Sequence, residues 1–356
     1  MDDETREMLH ETATSIFAEG PPDLWEVLQS VGIDKALVPE SKGGVGVSWA
    51  IACELLGIAG KHAAPVPMAE AMIGHWLLDI AGVEGAKLPT IAFSPPLEPV
   101  RLSRSGNEWH VDGALVRVPW GSSCTHVAFM SEGPAAQLIV VARDSSGVSI
   151  KAGQNLAGEP RDDMTLESVA PLAVVPVPFE SNSLLAISAV MRSALMAGAI
   201  ERALELTVDY ANMRVQFGRP IGKFQAVQQN IAVLATQAAA ARAATEAGSE
   251  AIDDWILGVE ESLMRSVAVA SAKIRTGEAA GEAAAISHQV FGAIGFTEEH
   301  ELHRFTKRLW SWRDEYGSEA VWADVLGESI LCNESEKTLW RTLAPTRSSL
   351  DIGATR

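Results

Sequence analysis

The stretch ERALELTVDYANMRVQFGRPIGKFQAVQQ, Glu201 to Gln229, decides how the chain is read. Leu204, Val208 and Ala211 recur at helical spacing, so a helix runs in and reaches Arg214. Phe217-Gly218-Arg219-Pro220 breaks it, since glycine and proline punctuate helices, and a second helix restarts near Lys223. The break gathers a guanidinium, an aromatic ring and the free N–H groups of a new helix start. That set suits a bound anion joined to a flat ring system, such as a nucleotide diphosphate. An ordinary Pro-Gly helix hairpin with an exposed arginine accounts for it equally well.

Outward from this break the texture of the chain changes twice. From Ser183 to about 343 the sequence is rich in Ala, Leu and Glu with very little proline, which predicts several long helices packed as a bundle. The most apolar run, Leu184 to Ile200, is interrupted by Arg192 and reads as a core helix rather than a membrane span. Between Ile91 and Phe179, short runs such as HVDGALVRV, HVAFM and QLIVVA alternate with Gly, Ser, Asn and Pro clusters, the pattern of strands and turns. Upstream, Glu4 to Leu28 and Ser48 to Ala59 are helical, separated by the loop LVPESKGGVGVS. The expected fold class is a multidomain α+β protein. An N-terminal helical domain spans 1–90, a middle β-barrel-like domain 91–182, a C-terminal four-helix bundle 183–345 and a polar tail 346–356.

Composition excludes several classes. The 356 residues hold 28 Lys plus Arg against 46 Asp plus Glu, a net charge of −18, which repels nucleic acid and anionic membrane surfaces. With 47% hydrophobic and 21% charged residues the chain can bury a large core. Cys53, Cys124 and Cys332 are far apart and form no CxxC pattern, so neither a disulfide framework nor a zinc site is indicated. The acidic start MDDETREMLHETATSIF is not a secretory signal, and a cytoplasmic location is the expectation. No GxSxG elbow, Walker loop or HExxH helix occurs. His300 and His303 have helical i, i+3 spacing but lack a third ligand, so a solvated or capping helix face is expected there rather than a metal.

RVQFGRPIGKFQAVQ resembles the bundle-domain signature of the acyl-CoA dehydrogenase family, and HQVFGAIGFTEEHELHRFTKRLW, His288 to Trp310, resembles its second signature. LVPESKGGVGVS together with AGKHAAPVP resembles the family's N-terminal helical domain. The resemblance implies an FAD enzyme that takes a proton from Cα and a hydride from Cβ of an acyl-CoA thioester, passing electrons to an electron-transfer acceptor. It implies that Arg214, Phe217 and Gln225 approach the FAD of a neighbouring subunit, and that Gln289, Gly292 and Ala293 line it. Ala293 stands where a second glycine is usual. Ser318, after Gly317, matches the threonine of a Gly-Thr pair and joins the cofactor-binding candidates.

Two departures from the family pattern matter. Where the middle domain normally carries a polar loop against its own flavin, this chain has FSPPLEPV, Phe93 to Val100. The chemistry also needs a positioned carboxylate, because a thioester α-proton is weakly acidic. One branch of the family places its glutamate where Tyr316 stands here, and the other branch on or beside Ser188. Glu315 and Asp314, just upstream of Tyr316, are the candidate catalytic bases under a shifted register. The half of the flavin site serving a neighbour is therefore expected to be intact and the half serving the chain itself degraded. This asymmetry resembles paired unlike subunits, such as those of some bacterial members acting on sterol side chains, and makes another acyl-CoA dehydrogenase-like subunit the expected partner. The alternatives are a homo-oligomer using Glu315 or Asp314, and a flavin-free scaffold.

Overall fold

The computed structural model describes residues 3–95, 98–131, 136–259 and 262–331. Four helices come first: α1 (Asp3–Glu19), α2 (Leu24–Ser30), α3 (Trp49–Lys61) and α4 (Met68–Ala81). The loop LVPESKGGVGVS joins α2 to α3, and Ser48 ends it by accepting from Ile51 N in the manner of a helix N-cap. Eight strands follow: β1 (Pro89–Ile91), β2 (Arg101–Ser105), β3 (Glu108–Pro119), β4 (His126–Met130), β5 (Gln137–Ala142), β6 (Val148–Lys151), β7 (Arg161–Val169) and β8 (Ala173–Pro176). They form two four-stranded sheets, ordered β1-β4-β5-β8 and β2-β3-β7-β6, where a barrel-like closure was expected. All pairings are antiparallel except β1 with β4.

After their polar first residues, the runs HVAFM and QLIVVA are apolar at every position because their sheet is covered on both faces. Val127, Phe129, Ile139 and Val141 point into a core shared with the second sheet, around Val111, Leu115 and Leu166. Ala128, Met130, Leu138 and Val140 point the other way, into the main core with the helices. A strand with two buried faces loses the alternation that a half-solvated strand shows.

The third part comprises α5 (Ser181–Met213), a short hairpin of β9 (Val215–Gln216) and β10 (Arg219–Pro220), then α6 (Gln225–Ile256), α7 (Val267–Phe291), α8 (Leu302–Trp312) and α9 (Glu319–Leu331). Helix α5 has a composition that could span a membrane, but 89% of its most apolar window is buried inside the protein. It is the central strut of the bundle, about 50 Å long at 1.5 Å per residue. The N-terminal helices are welded to it. A Cβ added at Gly198 would lie 1.9 Å from the Gly57 carbonyl oxygen, and one added at Gly60 would lie 2.0 Å from that of Leu195, so α3 and α5 cross with their backbones touching. Asp253 of α6 also accepts from Trp49 N at 2.8 Å and Ala50 N at 3.0 Å, satisfying two orphan donors of α3.

Candidate functional site

Two regions carry the candidate chemistry. At one end of the bundle α5 stops at Arg214, whose backbone leaves the helical region, and the β9–β10 hairpin turns through Phe217 and Gly218, both at positive φ. Phe217 is 92% exposed, and Arg214 is exposed and makes no ion pair among the described residues. The Arg219 guanidinium lies 4.3 Å from the Phe224 ring centroid, and the Phe217 and Phe224 rings meet edge-on at 6.2 Å. Gln225, also exposed, is the first residue of α6.

The second signature arrives at the same end. Tyr210, one turn before Arg214, stacks on Phe291 with ring centroids 4.3 Å apart. Phe291 is the last residue of α7, so the Arg214–Phe217 hairpin and the Gln289, Gly292 and Ala293 segment lie at the same end of the bundle. Gln289, Gly292 and Ala293 are all exposed. Gly292 has φ +64° and ψ −143°, a conformation essentially reserved for glycine, and it turns the chain out of α7. Ala293 sits at an ordinary negative φ in the tight turn that follows, so its methyl costs the backbone nothing. Ser318 belongs elsewhere, in the turn before α9, and its side chain makes no hydrogen bond among the described residues.

The second region lies where the three parts of the chain meet. Three carboxylates and three guanidinium groups are buried there together: Glu70 of α4, Glu159 and Arg161 at the start of β7, Arg192 of α5, Arg308 of α8, and Glu315. Arg161 grips Glu315 with two bonds, Nε to Oε1 at 2.8 Å and Nη2 to Oε2 at 3.0 Å. Arg192 bridges Glu315, at 3.1 Å, and Glu70. Glu159 receives Arg161, Arg308, Trp312 Nε1 at 2.8 Å and Asn155 Nδ2 at 2.9 Å, and Asn155 reaches Glu315 as well. The six charges cancel, which is what permits them so far from water. Lys273, fully buried behind them, donates to the Trp312 and Arg313 carbonyls at the end of α8, and burial pulls its pKa down to about 8.

This geometry revises both candidate bases. Burial would raise the Glu315 pKa, but Arg192 and Arg161 overcome it and hold the carboxyl below its ordinary value. Both its oxygens are engaged, so it is a tethered counter-ion rather than a free proton acceptor. Asp314 is exposed and takes no part in the cluster. Tyr316, at positive φ, donates to Glu70 at 3.1 Å, and burial and then Glu70 push its pKa well above 10. Its ring lies under Arg192 and edge-on to Phe93, with centroids 5.8 Å apart. The two departures noted in the sequence, at Phe93 and at Tyr316, thus touch one another. Ser188 is buried and donates to the Leu184 carbonyl at 2.7 Å.

The cluster was the part that sequence reasoning missed. Its only signal was charge inside apolar runs, Glu70 within MAEAMIGHW and Arg192 within Leu184 to Ile200. The paired histidines are engaged locally: His303 Nδ1 lies 2.8 Å from the His300 carbonyl, while His300 Nδ1 accepts from Leu302 N at the start of α8.

Residues 181–331 match the C-terminal domain of acyl-CoA dehydrogenases. Acyl-CoA dehydrogenase IpdE2 of Mycobacterium tuberculosis is 30% identical over 329 residues, covering 86% of this chain and 91% of its own. Among solved structures, the ChsE4-ChsE5 complex from Mycobacterium tuberculosis superposes with a TM-score of 0.82 at 22% identity, covering 94% of this chain and 99% of the other. A variant of the Tcur3481-Tcur3483 steroid acyl-CoA dehydrogenase gives the same score and identity over 92% and 98%. With both signatures at one end of the bundle and this likeness along most of its length, the chain belongs to the acyl-CoA dehydrogenase family.

Proposed function

We propose that this protein is one subunit of a heteromeric, FAD-dependent acyl-CoA dehydrogenase. It lends the face around Arg214, Phe217, Gln225, Gln289 and Gly292 to the flavin of a neighbouring subunit. The observation that carries the reading is that Arg214 and Phe217 both stand exposed at the turn after α5, an end joined to the Gln289 segment by the Tyr210–Phe291 stack. An aromatic ring left 92% in water, three residues after a guanidinium with no ion pair among the described residues, fits a flat, anionic dinucleotide. Arg214 would meet the pyrophosphate, and the amides of Gln225 and Gln289 would supply neutral hydrogen bonds. FAD, when bound, supplies hydride acceptance from Cβ of the thioester.

Among the described residues, the region around Phe93 and Tyr316 presents no comparable set of exposed polar groups. Proton abstraction from Cα needs a carboxylate free to accept, and Glu315 is held by two arginines while Tyr316 keeps its proton. Asp314 stands in solvent outside the buried cluster, and we assign the base to the partner subunit. Support comes from the two-chain ChsE4-ChsE5 complex among the structural neighbours and from the steroid enzyme beside it. A bulky, steroid-type acyl thioester is the substrate class we assign to the assembly, with an electron-transfer flavoprotein as acceptor.

The test is spectroscopic. The chain alone should purify colourless, and co-expression with its partner should yield a yellow complex with flavin absorbance. Arg214→Ala should lower FAD occupancy of that complex markedly. Full occupancy in Arg214→Ala, or flavin reduction by acyl-CoA on the isolated chain, overturns the proposal.

A further inference from the structure

We infer that His288 is a positioning residue: its imidazole is the template around which the Gly292–Phe296 turn folds, so that Gln289, Gly292 and Ala293 face outward as a rigid edge. This rests on the proposed role of that edge toward a neighbour's flavin. The ring of His288 is buried near the end of α7 and is stacked on both sides. Phe296 lies 4.1 Å away at 18° and Trp310 of α8 lies 5.5 Å away at 15°. Nε2 sits 3.0 Å from Thr306 Oγ1, which itself donates toward the Leu302 carbonyl and so accepts from the imidazole. One ring thus joins α7, the turn and α8.

The turn is shaped to this ring. A Cβ at Gly295 would come 2.8 Å from Phe291 Cβ and 3.2 Å from His288 Nδ1, so Phe291 first and the imidazole second favour glycine where the chain closes over the ring. Phe296 remains 68% exposed on its outer side, so its place depends on the stack beneath it. With Nε2 donating, Nδ1 carries the bare lone pair, and it has no hydrogen-bond partner among the described residues. Protonation would place an N–H there with no acceptor, at the point where Gly295 presses closest. Burial alone lowers the His288 pKa, and no charged side chain contributes to the shift. The neutral ring therefore holds the turn closed, and an imidazolium opens it.

The other histidines of this segment are His300 and His303. His300 lies against Phe291 and caps α8, with Glu301 and Arg202 beside it. The experiment separates them from His288. Hydrogen exchange of the amides 292–297 is followed on the isolated chain without flavin, across pH 5.5 to 8 and corrected for intrinsic rates. His288→Leu should raise exchange roughly tenfold at neutral pH, by removing both the stack and the bond to Thr306. His288→Phe, which keeps an aromatic ring between Phe296 and Trp310, should fall between that variant and the parent. As pH drops below 6.5, the ordinary histidine value, the parent and His300→Asn should loosen and His288→Phe should not. Unchanged exchange in His288→Leu, or pH-dependent loosening that persists in His288→Phe, overturns the inference. FAD titration of the co-purified complex is read separately. Failure to bind FAD with the exchange pattern intact rejects the flavin role and leaves the positioning role standing.

Discussion

Glu315 stands between two arginines from different parts of the chain, and its charge is one of three that offset three guanidinium groups. Glu315→Gln keeps the shape and leaves a buried positive charge unbalanced. We expect it to lower stability by about 3–5 kcal/mol, read from denaturant midpoints. If the base belongs to the partner subunit, turnover per folded complex stays nearly unchanged. A complex that folds normally yet loses flavin reduction would restore Glu315 as the base. The pH dependence follows from the depressed carboxyl. Its contribution to stability is complete above the ordinary value of 4.5 and is lost as pH falls through the lower folded value. Parent and Glu315→Gln should therefore converge in stability on acidification, whereas curves that stay parallel below pH 4.5 contradict the assignment.

Helices α3 and α5 meet through glycine on both sides, and that contact holds the N-terminal domain to the bundle. Gly198→Ala would drive a methyl into the Gly57 carbonyl, which is backbone and cannot rotate away. A loss of about 3 kcal/mol is expected, the upper end of ordinary overpacking, and a calorimetric midpoint equal to the parent's would refute the close crossing. The N-terminus of α3 offers a gentler probe. Asp253→Ala removes the carboxylate that accepts from Trp49 N and Ala50 N, and should cost about 0.5–2 kcal/mol, the range for lost N-caps. Asp253→Asn should recover only part of it, because its single amide oxygen accepts from one of the two N–H groups while its NH2 faces the other.

Across the whole molecule the charge is −18, yet Arg214, Arg219 and Lys223 crowd one end of the bundle with Met213, Val215 and Phe217 exposed around them. A basic, apolar end on an acidic protein favours an anionic partner surface and disfavours two copies meeting basic end to basic end. Sedimentation of the isolated chain against the co-purified pair should show association only with the partner, weakening as salt rises. A stable homo-oligomer of the isolated chain that binds FAD fully would favour self-sufficiency instead.

The α, β, α order, the core character of α5 and the break at Phe217 to Pro220 were legible in the sequence because they rest on local chemistry. Apolar periodicity, β-branched runs and the conformational limits of glycine and proline act over a few residues and leave their mark there. The family signatures were legible for the same reason, as contiguous strings of residues. The fate of Glu315 was not. It depends on Arg161, 154 positions away, and on Arg192 of a third element, and a carboxylate facing solvent reads the same along the chain as one gripped by two arginines. Likewise His288 acquires its neighbours only when α7 turns back through Gly292 and α8 lays Trp310 across it. Burial and charge pairing are properties of the packed chain, and the tertiary structure alone decided which titratable side chains are free to act and which hold the fold together.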